Sequence, residues 1–119
     1  MQNPTRPTGL RLTIYLGEDK MDAGQPLYKS IVHEARTMRI SGVTVIHGTA
    51  GYGRSTRLHT SDVLFSEDLP VVVEIVDTES KIDPLIRRLA ARTDIGMMTC
   101  EAVEILGARG LDDPKPPTG

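Results

Sequence analysis

From Leu10 the chain alternates. Leu10, Leu12, Ile14 and Leu16 point one way and Arg11, Thr13 and Tyr15 the other, the period of a half-buried strand. Gly17 ends it, and a polar connector follows from Glu18 to Gln25. Pro26 suits the first position of a helix, where its missing N–H costs nothing. Leu27, Ile31, Ala35 and Met38 then recur at helical spacing, predicting an amphipathic helix with Gly42 just past its end. His33 and Arg39 fall off the apolar stripe and read as solvated. Val43 to His47 is β-branched enough to predict a second strand. Thr60 to Phe65 reads as a short strand or the returning arm of a long hairpin, and Ser66-Glu67-Asp68 as a turn. Pro70 opens Val71 to Val76, whose nearly unbroken apolar run predicts a strand covered on both faces. A second helix is expected from Asp77 or Thr78, with Ile82, Leu85, Ile86 and Leu89 as its buried stripe. Pro84 predicts a kink, or a late start with Asp83 as N-cap. Thr93 to Gly96 connects to a last strand, Met97 to Leu106, with Val103 and Ile105 on one face and Met98, Cys100, Ala102 and Leu106 on the other.

The order β-α-β-β-α-β predicts an α+β, ferredoxin-like fold: an antiparallel sheet with two helices on one face. The expected boundaries are a disordered lead over 1–9, a folded domain over 10–106 and a disordered tail over 107–119, where Gly, Asp, Pro and Lys take over. The helix-free face must be solvated, covered by ligand or buried by partners, and the covered-looking strand at Val71 favours partners. Glu74, within that strand, is expected to pair with Arg11 across the sheet or with another subunit.

Composition narrows the functions. The 119 residues fit one domain. Aromatic content is 3% with no Trp, so the core must be aliphatic. A net charge of −2 provides no global field toward nucleic acid or membrane, and no nucleic-acid partner is expected. The single cysteine, Cys100, lies in an alternating apolar segment and reads as a small buried hydrophobe. The lack of a disulfide framework and of an apolar leader points to the cytoplasm, and no run approaches the ~20 apolar residues of a membrane-spanning helix.

Polar chemistry concentrates between His47 and His59. Gly48, Gly51 and Gly53 allow positive φ and close backbone approach, so successive N–H groups can line an anion-binding concavity. Arg54 and Arg57 add bidentate donors suited to phosphate or carboxylate. Tyr52 can stack on a base, and Ser55 adds a hydroxyl. The plain alternative is a surface hairpin whose glycines only make turns. Two nucleotide fingerprints fail: Gly-x-x-Gly-x-Gly reverses the dinucleotide motif with no helix opening after it, and there is no Gly-Lys-Ser/Thr. His47 and His59 would converge if the loop closes, but with no cysteine near and only Asp62 as a close carboxylate the ligand set is thin. No metal or other cofactor is assigned. No nucleophile–base pair is visible, so an enzyme ranks last.

Gly-x-x-Gly-Tyr-Gly-Arg-Ser-Thr-Arg-Leu-His at 48–59 and Ser-Glu-Asp-Leu-Pro-Val-Val-Val-Glu-Ile-Val-Asp at 66–77 closely resemble the family called domain of unknown function 190. Leu-x-Ile-Tyr-Leu-Gly-Glu at 12–18 and Pro-Leu-Tyr at 26–28 fit as well. That family is grouped with the nitrogen-regulatory PII-like proteins, so the resemblance implies a ferredoxin-like subunit of a homotrimer. It further implies a small ligand, an adenine nucleotide first, bound between subunits. The loop would regulate a partner, often a membrane transporter. Gly51-Tyr52-Gly53-Arg54 resembles the Gly-Phe-Gly-Arg at the base of the PII loop, which makes Gly51, Gly53 and Arg54 the leading contacts. Gly48, Tyr52, Ser55, Arg57 and His59 complete the expected ligand site. PII proteins also carry a glycine-rich, basic phosphate loop before the last strand. Here that connector is Ala-Arg-Thr-Asp-Ile-Gly-Met-Met, with Arg92 but no Gly-Lys pair. The smaller set of cations suits a nucleoside monophosphate, a cyclic nucleotide or another small anion. The alternative is a metal-binding trimer resembling the copper-tolerance proteins of the same fold, using His47 or His59.

Overall fold

The structure, a computed structural model, describes residues 8–51 and 69–107. Strand β1 (Thr8–Gly17) lies between β5 (Pro70–Thr78) and β6 (Met97–Glu104), and β4 (Gly42–His47) flanks β5. Every pairing is antiparallel. Helices α1 (Leu27–Thr37) and α2 (Glu79–Ala90) cover one face. The sheet order β4-β5-β1-β6 is that of the ferredoxin-like fold the sequence predicts.

The predicted alternation forms the core. Leu12, Ile14 and Leu16 of β1 and Val71, Val73 and Ile75 of β5 are fully buried against Leu27, Ile31 and Ala35 of α1 and Ile82, Leu85 and Leu89 of α2. Complete burial of side chains of this size is worth ~1.5–3 kcal/mol each. On β5 the intervening residues Val72, Glu74 and Val76 are only half-buried. The expected cover on both faces is therefore complete on the helix side alone.

Local chemistry moves several boundaries. β1 begins at Thr8, two residues before the first alternating leucine, because Gly9 pairs with Thr78 and Val103. The connector after β1 folds into a small hairpin, β2 (Met21–Asp22) and β3 (Gln25–Pro26). Its turn residues Ala23 and Gly24 have φ of 49° and 86°, the signs a type I′ turn requires. Pro26 caps α1 rather than opening it, and the Leu27 N–H donates to the Lys20 carbonyl at 2.7 Å.

Gly42 does not follow α1 but starts β4. Arg39 is the residue that ends the helix, with φ of 60°. The Arg39 N–H donates to Arg36 and the Ile40 N–H to Ala35, both at 3.0 Å, the two bonds of a Schellman motif. Asp77 and Thr78 finish β5 instead of starting α2. Asp77 is buried, and its carboxylate accepts from the Ser41 N–H at 2.8 Å and the Thr78 N–H at 2.7 Å. It thereby ties the α1–β4 turn to the end of β5. Helix α2 starts at Glu79 and runs through Pro84, with no late start. Proline there removes an interior hydrogen bond, and the burial of Ile82, Leu85 and Leu89 on the same helix offsets that loss.

The last strand stops at Glu104, two residues short of the expected Leu106. Cys100 is exposed, not buried. It sits on the edge strand β6, opposite Leu12. Its thiol is nonetheless pushed up from the ordinary value, by partial burial first and then by Asp83, Glu101 and Glu79.

Candidate functional site: the base of the glycine loop

The loop leaves the sheet at His47 and returns at Leu69. Both arms are held in register to the end of the ladder, where His47 faces Val71. One step further the Gly48 N–H donates to the Pro70 carbonyl at 2.8 Å. Two of the predicted glycines then close on one proline ring. A Cβ on Gly48 would lie 2.7 Å from Pro70 Cγ, and one on Gly51 3.3 Å from the same atom. Gly51 also has φ of 146°, where a side chain is strained. At both positions glycine is thus a structural requirement of the loop base. Tyr52, Gly53, Arg54, Ser55, Arg57 and His59 lie outside the described residues, as do the expected strand at 60–65 and turn at 66–68.

Around this base the fold gathers side chains that sequence reasoning did not single out. Glu18, in the turn after β1, donates its N–H to the Leu69 carbonyl at 2.8 Å and sets its carboxylate 3.4 Å from His47 Nδ1. Tyr28, in the first turn of α1, meets the His47 ring edge-to-face with centroids 5.4 Å apart. Glu18 and Tyr28 close the short motifs at 12–18 and 26–28, and that was the only trace of them in the sequence.

Arg92, the cation of the connector before β6, is committed to the protein. Its guanidinium donates to Asp94 at 2.9 and 2.7 Å and to Asp22 of the hairpin at 3.1 Å. Hydrogen bonds from Ser30 first and Arg92 second hold the Asp22 carboxyl below the usual range, and Arg92 does the same to Asp94. Arg92 therefore clamps the hairpin to the connector. Among the described residues no group of three or more His, Cys, Asp or Glu side chains is placed to hold a metal ion, and no helix is long and apolar enough to cross a membrane.

The helix-free face is ordered in rows across the four strands. Ile46, Val72, Tyr15 and Met97 form one row by register, and Ile46, Tyr15 and Met97 are 50%, 41% and 44% exposed. Thr44, Glu74, Thr13 and Thr99 form the next. Glu74 does not pair with Arg11: the register sets it opposite Thr13 and Thr44, and Arg11 forms its ion pair with Glu101 on β6.

Residues 9–105 match domain of unknown function 190 (DUF190, "Uncharacterized ACR"), and the chain belongs to that family. It is 33% identical over 96 residues to a UPF0166 protein of Aquifex aeolicus, covering 80% of this chain and 90% of that one. It is 36% identical over 78 residues to a UPF0166 protein of Methanocaldococcus jannaschii, covering 66% and 72%. Among solved structures it is similar to one described as a PII-like signalling protein from Thermus thermophilus, with a TM-score of 0.58, 15% identity and coverage of 85% and 92%. It is also similar to the nitrogen-regulatory PII-like protein CPII of Thiomonas intermedia bound to ADP, AMP and acetate, with a TM-score of 0.55, 12% identity and coverage of 86% and 92%. At these identities the likeness to the solved structures is one of fold: the chain has the PII-like form of the ferredoxin-like architecture.

Proposed function

We propose that this chain is the subunit of a cytoplasmic, homotrimeric PII-like regulatory protein. It binds a small anionic ligand, an adenine nucleotide, at the base of the 48–60 loop between subunits. Ligation shifts the loop between populations of different affinity for a partner protein such as a membrane transporter. The reading is of a binding module rather than an enzyme.

The observation that carries it is the loop base itself. Gly48 and Gly51 seat the departing arm on Pro70, and Gly53, Arg54 and Arg57 follow within six residues of Gly51 in the sequence, residue types that supply backbone and guanidinium donors. Support also comes from CPII, a neighbour in fold that holds ADP and AMP. The apolar row Ile46-Val72-Tyr15-Met97 supports assembly, since such a row across a helix-free face favours cover by other copies.

A thermal-shift screen of the full chain against AMP, ADP, ATP, cyclic AMP, S-adenosylmethionine and divalent metals tests the reading. A ligand at 100 times its Kd stabilises by about 2.7 kcal/mol, several degrees for a domain of this size. The expected result is a nucleotide shift that Arg54→Ala removes. A shift with metal alone, reversed by chelator, would favour the histidine reading. No shift with any nucleotide would overturn the proposal.

A further inference from the structure

His47 is the last residue of β4, and three elements hold its ring. The strand supplies its backbone, Glu18 of the β1–β2 turn lies 3.4 Å from Nδ1, and Tyr28 of α1 packs at 90° to the ring plane. Glu18 touches both arms of the loop, the departing arm through His47 and the returning arm through its N–H bond to Leu69. A carboxylate only accepts hydrogen bonds. The contact therefore puts the proton of the neutral imidazole on Nδ1 and leaves Nε2 an acceptor. Among the described residues Nε2 has no hydrogen-bond partner, and the ring is half exposed. The core is complete without it. The ring is an oriented acceptor at the mouth of the loop.

We propose that His47 determines ligand specificity at the loop base, its Nε2 accepting a hydrogen bond from an O–H or N–H of the bound molecule, with Glu18 and Tyr28 as positioning residues. This rests on the ligand site proposed above and defines its ligand further. The molecule carries a neutral donor beside its anionic group, as a ribose hydroxyl or the exocyclic amine of adenine does. A fully deprotonated anion such as sulfate, which only accepts, has nothing to offer Nε2. A site built to bond a donor discriminates strongly against ligands that lack one.

Titration calorimetry of the full chain with AMP, and with inorganic sulfate for comparison, provides the test. His47→Phe keeps an aromatic ring against Tyr28 and removes the acceptor, and AMP is expected to bind about tenfold more weakly. His47→Gln can return a carbonyl oxygen near the Nε2 position, and is expected to bind within about threefold of the parent. Unchanged sulfate binding in His47→Phe would fit a donor contact, whereas an equal loss for sulfate and AMP would overturn it. AMP binding that His47→Phe leaves intact would sink this proposal alone. Failure of the parent chain to bind AMP would remove the ligand site and this contact together. An independent arm needs no ligand: nitrogen-15 spectra of the free protein near neutral pH should show the Nδ1–H tautomer at His47, and the Nε2–H tautomer would refute the assignment.

Discussion

Gly48 and Gly51 lean on the same proline for different reasons, and substitution can separate them. At Gly48 the obstacle is space, with Pro70 Cγ 2.7 Å from the site of a Cβ. Gly48→Ala is expected to cost about 1–3 kcal/mol, the range for overpacking a fitted contact. Pro70→Ala removes the obstructing ring, so in the double variant the two losses should fall short of their sum by more than about 0.5 kcal/mol. At Gly51 the main obstacle is φ of 146°. Gly51→Ala should cost about 1–2 kcal/mol, and Pro70→Ala should recover little of it. Urea unfolding of the single and double variants decides the matter. Additive losses at Gly48 would mean that the loop base moves aside and that the proline contact has no structural weight.

Among elements, the Arg92 clamp joins the hairpin to the connector before β6, and it predicts an acid limb. Asp22 and Asp94 are both held below the ordinary carboxylate range. Depressed folded-state values contribute stability that is present above the unfolded value of ~3.9 and lost as pH falls through the lowered folded values. Arg92→Ala should therefore destabilise the chain at pH 7, and the gap to the parent should close below about pH 4. Thermal or urea unfolding from neutral pH down into that acid range measures it, and a constant gap would show that the guanidinium acts by packing. Elements also show what the sequence discloses. The four strands of the main sheet and both buried stripes were legible because Leu12, Ile14, Leu27, Ile31, Ile82 and Leu85 repeat at the period of the surface they bury, whereas the β2–β3 hairpin, two residues to a strand, left no period to read in the polar connector. The left-handed Arg39 was not, because the two Schellman bonds set its conformation and its side chain does not. The run of α2 through Pro84 was hidden for a related reason: tertiary burial outweighed a local rule. At the site, the glycines were visible by composition. Glu18 and Tyr28 were not, since they reach His47 only once β1, α1 and β4 share one end of the sheet.

For the whole molecule, the helix-free face is the surface that the proposed trimer would cover. Ile46, Tyr15 and Met97 line up with Val72 across all four strands, at exposures of 41–50% for those three. The neighbouring row, Thr44, Glu74, Thr13 and Thr99, is polar. A trimer that closes over the apolar row buries it, and the polar row then fixes how the copies meet. The proposed ligand clefts depend on that closure, since they lie between subunits. Replacing both Tyr15 and Ile46 with Glu sets two charges on the row without touching the buried cluster on the helix side. Sedimentation of the parent chain is expected to give a trimer, and the double variant a folded monomer, with far-ultraviolet dichroism unchanged. Nucleotide stabilisation should vanish with the trimer, although no residue of the loop was altered. A variant that stays trimeric would place the interface elsewhere. A monomer that still binds AMP with the parent's affinity would confine the ligand site to one subunit, leaving the 48–51 platform as its whole foundation.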